Sequence, residues 1–283
     1  MSKLLLCTDL DRTLLPNGPQ PESAGARNRF SDFIAHNDVT LVFVSGRDKK
    51  LVQQAITSYC LPQPDFVISD VGTNIYDLRK GKWTVWRQWH DEIAPDWNGK
   101  NRDFLCDLLT DIEALRLQEF EKQNTYKLSY YAPLFIDLDE LDRRIQQRLN
   151  AHDIKASLIW SVDEPAGIGL LDILPKHATK LHAIEFLMAT LSFPLQRTLF
   201  AGDSGNDLAV LASRIPSVLV ANAMPEVKTA ALAAAAEQGH GDALYIAGGH
   251  YLDMNGNYCA GILEGIAHYF PPLGERIGHS APD

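Results

Sequence analysis

Cysteine, long apolar runs and net positive charge are what this sequence has least of, and each shortage narrows the reading. Four cysteines occur in 283 residues (Cys7, Cys60, Cys106 and Cys259), all far apart and with no Cys-x-x-Cys spacing. With no secretory signature beside them they read as reduced thiols of a cytoplasmic protein, and Cys7, inside an apolar run, as a core residue. No uninterrupted apolar stretch approaches membrane-spanning length, and the run before Asp9 is too short for the hydrophobic region of a signal peptide. Lysine and arginine total 26 against 36 aspartates and glutamates, a formal net charge of −10, which argues against a nucleic-acid or anionic-membrane surface. An anionic substrate stays open, because a few local cations and a metal can reverse the field inside one pocket.

What is present is ordinary in bulk: 46% hydrophobic and 22% charged residues, in a length that suits one large domain or two modest ones. No internal repeat is visible. Residues 3–9 read as a buried strand, followed by a proline- and glycine-bearing loop over 16–21 and a helix over about 23–37 with an apolar face at Ala26, Phe30, Phe33 and Ile34. Buried strands recur at 40–44 and 65–69, with a helix over 50–59 between them. Strand, helix, strand with short loops predicts right-handed crossovers and a parallel sheet.

From Leu78 to about Ile168 the character changes, and all five tryptophans (Trp83, Trp86, Trp89, Trp97 and Trp160) fall there. Helices at about 101–115 and 139–151 and strands at 125–131 and 156–162 predict an inserted α+β region with an antiparallel sheet. The tryptophans can stack on a sugar, although core burial is their usual role. The parallel pattern is expected to resume at 169–174, then a helix over 178–191, strands at 198–201 and 217–220, an alanine-rich helix over 230–237, and a last helix over 258–269 before a Pro-Pro and a polar tail. The expected fold is thus α/β: a Rossmann-like, mostly parallel sheet with helices on both faces, built from 1–78 and 169–283, plus a smaller inserted α+β domain over 79–168.

Four loops follow buried strands and carry polar residues where a parallel sheet presents its ligand-facing edge: Asp9–Thr13, Ser45–Arg47 (with Gly46), Gly72–Asn74 (with Thr73) and Gly202–Asp207. Lys180 opens the helix after the strand ending near Leu174. Asp9 and Asp11 leave the first strand on one side if the extended chain persists that far. Asp-x-Asp alone fits a strand-to-turn junction equally well. Taken together the loops point to phosphoryl transfer, which needs a nucleophile, a general acid and cations for the phosphate oxygens. Asp9 can attack phosphorus and form an aspartyl-phosphate. Asp11 can protonate the leaving oxygen and then take a proton from water. Mg²⁺ can bridge Asp9, Asp203 and the phosphate; Ser45 can hold a phosphoryl oxygen; Lys180 can neutralise Asp9 and the transferring group; and Asp207 can orient a metal-bound water or Lys180.

Asp9-x-Asp11-x-Thr13, Ser45, Lys180 and Gly202-Asp203-x-x-x-Asp207 resemble, in order and placement, the four motifs of the haloacid dehalogenase (HAD) superfamily of phosphohydrolases. The insertion resembles the C2-type cap of its Cof-like branch. Within it, Val44-Ser45-Gly46-Arg47, Asp70 to Tyr76, Lys127-Leu128-Ser129-Tyr130, Asp172-Ile173-Leu174-Pro175, Gly202 to Asp207, Ala221-Asn222-Ala223 and Ala260 to Ile266 look like sucrose-phosphate phosphatases. That resemblance implies hydrolysis of sucrose 6-phosphate to sucrose and phosphate, metal binding helped by the Asp11 backbone carbonyl, and sugar contacts from cap residues and the Asn206 and Asn222 loops. Leu181 departs from the glycine the family usually has after its lysine. Lys176 and His177 bring two cationic or switchable groups to the expected sugar pocket, and 247–256 is an additional loop or hairpin. These departures keep mannosylfructose phosphate and other glycosyl phosphates open as substrates. The expected partners are a sugar phosphate and the matching sugar-phosphate synthase; a silent synthase-binding module is the rival, opposed by the full set of catalytic residues.

Overall fold

The computed structural model describes residues 3–164 and 166–279. Twelve strands follow one another along them: β1 (Leu4–Thr8), β2 (Val39–Val44), β3 (Phe66–Ser69), β4 (Asn74–Asp77), β5 (Thr84–Val85), β6 (Arg116–Leu117), β7 (Leu128–Ala132), β8 (Ala156–Asp163), β9 (Ile168–Pro175), β10 (Thr198–Gly202), β11 (Ser217–Leu219) and β12 (Leu244–Ile246). They form an eight-stranded sheet in the order β12-β11-β10-β1-β2-β3-β4-β5 and a four-stranded sheet in the order β6-β7-β9-β8. The pairings from β12 through β1 to β3 are all parallel. The protein is α/β with a mostly parallel sheet and a separate antiparallel one.

The chain divides into two compact units, one comprising Met1–Ser69, Tyr76–Thr84 and Lys180–Asp283, the other Asp70–Ile75 and Val85–Thr179. In the first, β1 is buried at every position, which is why it reads as an unbroken apolar run. Leu4 and Leu6 share a core with Ala26, Phe30 and Phe33 of the helix Ala26–His36 and with Ile262, Leu263 and Ile266 of the helix Cys259–Tyr269. The chain builds outward on one side of β1 through β2 and β3, then returns to its other side at β10. β1 therefore sits where the strand order reverses, the place at which an open α/β sheet leaves a crevice beyond its strand ends.

The second unit packs one face of its sheet on two helices. Leu128 and Tyr130 of β7 and Leu171 and Ile173 of β9, two residues apart and so on one face, meet Leu105 and Leu109 of Arg102–Leu109 and Leu141, Ile145 and Leu149 of Leu138–Asn150. Trp89 and Trp97 are fully buried, which favours the core reading of those tryptophans.

Two expectations fail. The segment after Gly169 does not return to a parallel sheet: β9 pairs antiparallel with both β7 and β8. Its apolar run has no local mark of strand direction, which a neighbouring strand decides. The expected tail after the Pro-Pro is a helix, Pro271–His279. Proline is tolerated in a helical first turn because its missing N–H has no intrahelical acceptor there.

Candidate active site

The register sets Thr8 of β1 beside Phe43 of β2 and Ala201 of β10. Asp9, Ser45 and Asp203 each directly follow the last residue of their strand (Thr8, Val44 and Gly202), so they emerge along one sheet edge. The Asp9 amide still donates to Ala201 O at 2.9 Å. The extended chain ends just beyond: Leu14 N and Leu15 N both donate to Leu10 O, at 3.0 and 2.8 Å, and Arg12 has φ +57°. Asp9 and Asp11 consequently differ. Asp9 is 4% exposed. The Asp11 side chain is 43% exposed, and its carboxylate accepts from Arg47 Nη2 at 2.6 Å, Arg47 Nε at 2.8 Å and Asn17 Nδ2 at 2.7 Å.

Lys180, the first residue of the helix Lys180–Leu191, is buried. Its Nζ donates to Asp9 Oδ1 at 3.0 Å, Asp207 Oδ1 at 2.7 Å and Asn206 Oδ1 at 2.9 Å. The second Asp207 oxygen accepts from the amides of Asp203 and Ser204 at 3.1 and 3.2 Å, and the Asp207 side chain passes so close to Gly202 that a Cβ there would lie 2.7 Å from its Cγ. The glycine is a requirement of that approach. Thr13 Oγ1 donates to Asp203 Oδ1 at 3.1 Å. Ser45 is buried and its Oγ accepts from Arg47 N at 3.1 Å, while Gly46 is exposed. Asn222 donates to Arg12 O at 2.6 Å and accepts from Tyr258 N at 2.9 Å.

Burial pushes the Asp9 carboxyl up to about 8 despite Lys180, with Asp207 and Asp203 pushing the same way. Burial and then Asp207 raise Asp203 to about 6. Burial opposes the charged form of Lys180, but Asp207 and Asp9 overcome it and hold the ammonium well above its ordinary value. For Asp11 burial also acts upward, and the Arg47 hydrogen bonds and charge outweigh it, keeping the carboxyl below the usual range. The buried cluster thus has more carboxylate than cation and stands to gain from added positive charge.

Asp9, Asp203 and Asp207 each offer an oxygen within 4.8 Å of the others, an all-oxygen buried donor set that fits a hard divalent cation. Because both Asp207 oxygens are already engaged, Asp9 and Asp203 are the side chains best placed to hold it, with Asp207 fixing Lys180 and the loop.

The remaining predicted residues lie in the second unit. Thr73 Oγ1 accepts from Asn124 Nδ2 at 2.8 Å. Asn74 bonds His90 Nε2 at 2.9 Å and Asp70 Oδ2 at 3.1 Å. Lys127 is buried with Nζ 3.5 Å from Asp172 Oδ2. His177 Nδ1 lies 2.8 Å from Asp96 Oδ1, and Lys176 is exposed. The sequence reading passed over Arg12, Asn17, Tyr258, His90, Asp96 and Asn124. Asn17 stood in a loop read only for its prolines and glycine, and nothing local marks Asp96 or Asn124, which meet their partners across long stretches of chain.

A family model described as sucrose-6F-phosphate phosphohydrolase matches residues 2–270. A relative from Nitrosococcus oceani, named "Putative HAD-like hydrolase", is 55% identical over 269 residues, covering 95% of this chain and 72% of its own length. A mannosylfructose-phosphate phosphatase of Agrobacterium fabrum is 29% identical over 277 residues, covering 94% and 96%. The structure of the sucrose-phosphatase from Synechocystis in complex with sucrose and phosphate superposes with a TM-score of 0.70 at 26% identity, covering 95% of this chain and 98% of that one. With four motif segments gathered at one sheet edge and a family match along nearly its whole length, the chain belongs to the sucrose-6F-phosphate phosphohydrolase family, the sugar-phosphate phosphatases of the HAD superfamily.

Proposed function

We propose that this protein is a Mg²⁺-dependent phosphatase of a disaccharide phosphate, with sucrose 6-phosphate as its substrate, acting through an aspartyl-phosphate on Asp9. The observation that carries the reading is the buried Asp9 carboxylate at the β1 end, held by Lys180 beside Asp203. An Asp9 oxygen attacks phosphorus while the bond to the sugar oxygen breaks, and Asp11 gives that oxygen a proton. Water then attacks the aspartyl-phosphate, passes a proton to Asp11, and releases phosphate and free Asp9. Ser45, Gly46, Arg47 and the neighbouring amides hold the phosphoryl oxygens, and Lys180 balances the charge on Asp9 and the transferring group. A bound Mg²⁺, held by Asp9, Asp203 and the Asp11 carbonyl, supplies further stabilisation of charge on the phosphoryl oxygens. Arg47, which pairs with Asp11 at 2.6 and 2.8 Å, must release it, and Asp11 must take up a proton from solvent, before the first cycle can deliver that proton to the sugar oxygen; water returns it in the second step.

The sugar contacts are assigned to the second unit, where Thr73, Asn74, Lys127, Lys176 and His177 offer donors. Support for sucrose comes from the family model and the sucrose-bound relative; mannosylfructose phosphate is the second reading, supported by the 29% identity to its phosphatase across 94% of the chain. The test is phosphate release from a panel of mono- and disaccharide phosphates with Mg²⁺ or EDTA. Sucrose 6-phosphate should turn over fastest and only with Mg²⁺. Rapid release from monosaccharide phosphates with none from any disaccharide would overturn the substrate assignment.

A further inference from the structure

Arg12 stands between the two aspartates of the first loop and the threonine that binds Asp203, in the left-handed region at φ +57°. Glycine or asparagine occupies that conformation with less strain than arginine does. The backbone is pinned there from both sides: Arg12 N donates to Asn17 Oδ1 at 2.8 Å, and Arg12 O accepts from Asn222 Nδ2 at 2.6 Å. Asn222 is itself fixed by Tyr258 N at 2.9 Å. A long side chain retained at a strained position invites a functional explanation.

The side chain supplies one. It is only 34% exposed, and Arg12 Nε lies 3.7 Å from Asp203 Oδ2. That nitrogen is buried and makes no hydrogen bond among the described residues. Gly18 closes the other side, since a Cβ there would come within 3.3 Å of Nε. The guanidinium is therefore a fixed positive charge beside one Asp203 oxygen, while the other accepts from Thr13. The side-chain oxygen without a neutral hydrogen-bond donor is the one facing Arg12.

We propose that Arg12 sets the divalent-metal affinity of the Asp9–Asp203 site by acting as a built-in countercharge to Asp203. This rests on the reading of Asp9 and Asp203 as metal ligands. Without a cation Arg12 offsets part of the repulsion among Asp203, Asp207 and Asp9. A cation on Asp203 meets an adjacent guanidinium, and the like-charge repulsion weakens its binding. The device keeps the empty cluster tolerable and makes metal occupancy respond to ambient Mg²⁺. Its Nε is placed near enough to act on Asp203 yet too far to form a hydrogen bond that a cation would have to break.

The experiment is Mg²⁺ titration calorimetry on the full chain, alongside thermal unfolding in EDTA. Arg12→Asn, which suits the left-handed backbone, should tighten Mg²⁺ binding about tenfold, and Arg12→Lys should stay within about twofold of the parent, because charge is the operative property. In EDTA, Arg12→Gln should unfold at a lower temperature than Arg12→Lys. Unchanged or weaker Mg²⁺ binding in both Arg12→Asn and Arg12→Gln would overturn the role, and a shift in unfolding temperature with no shift in affinity would reduce Arg12 to a structural part. Absence of any Mg²⁺ binding by the parent protein would instead refute the underlying metal-site reading.

Discussion

The polar groups of the two units are organised differently. In the first, Lys180 is buried and shared among Asp9, Asp207 and Asn206, and Asp207 in turn holds two backbone amides. In the second, Lys127 has Asp172 at 3.5 Å, His177 keeps Asp96 on one ring nitrogen with its side chain 59% exposed, and Lys176 is exposed. On the proposed function, the difference corresponds to a division of labour between the two units. Chemistry on phosphorus needs charges fixed before substrate arrives, and a buried hydrogen-bonded network centred on Lys180 at the strand ends provides that. Recognition of a sugar, which the proposed function assigns to the second unit, needs donors that a ligand can reach, as the exposed Lys176 and His177 are.

The comparison breaks most visibly at its centre. Asp9→Asn should lower kcat by at least about a thousandfold at nearly unchanged fold, measured as phosphate release and circular dichroism. Near-normal turnover would remove Asp9 as nucleophile. Lys180→Met should lower kcat by a similar factor and also destabilise the protein by about 3 kcal/mol in urea unfolding, because it leaves Asp9 and Asp207 facing each other without their shared cation. Lys127→Ala or His177→Ala should act in the opposite register, raising KM about tenfold with a smaller change in kcat, the signature of lost substrate binding. Equal losses in kcat from both units would erase the distinction.

Smaller effects sharpen it. Asn222→Ala removes hydrogen bonds to Arg12 O and from Tyr258 N, and should cost about 1–3 kcal/mol of stability through the groups left unsatisfied. Stability should also depend on pH through the carboxylates. Asp203, at about 6, and Asp9, at about 8, are raised above the ordinary 3.8, so the folded protein binds their protons more tightly than the unfolded chain. In EDTA the unfolding temperature should therefore fall as pH rises from about 4 toward about 8 in the contribution of these groups. Mg²⁺ should raise that temperature more at pH 8 than at pH 5, since protons and metal compete for the same oxygens. An equal gain at both values would separate the metal from Asp9 and Asp203.

Legibility in the sequence followed the same division. Asp9, Ser45 and Asp203 could be read because each lies at the end of a short apolar strand, and strand exits in a parallel sheet converge by topology; Asp207 came with the Gly202–Asp207 loop pattern. Asp11 could be named but not placed. Its conformation depends on a turn at Arg12 and on Arg47 and Asn17, neither of which the Asp-x-Asp spacing reveals. The Asn222 side chain bonds two backbone groups, Arg12 O and Tyr258 N, which the sequence does not mark. Thr13 likewise meets Asp203. The second unit was recognisable as an antiparallel insertion, yet its polar pairs, such as Asp96 with His177, join residues far apart in the chain and leave no local trace.

By itself the sequence determined the apolar strand runs, the order of the elements and the identity of the reactive groups at the strand ends, because burial and periodicity are local and survive in a list of residues. Only the tertiary structure decided that β9 belongs to the antiparallel sheet, that Asp9 is buried while Asp11 is partly exposed, and that one ammonium serves two carboxylates. Those outcomes depend on which distant side chains share a small volume, and charge interactions at a few ångströms are set by that proximity rather than by spacing along the chain.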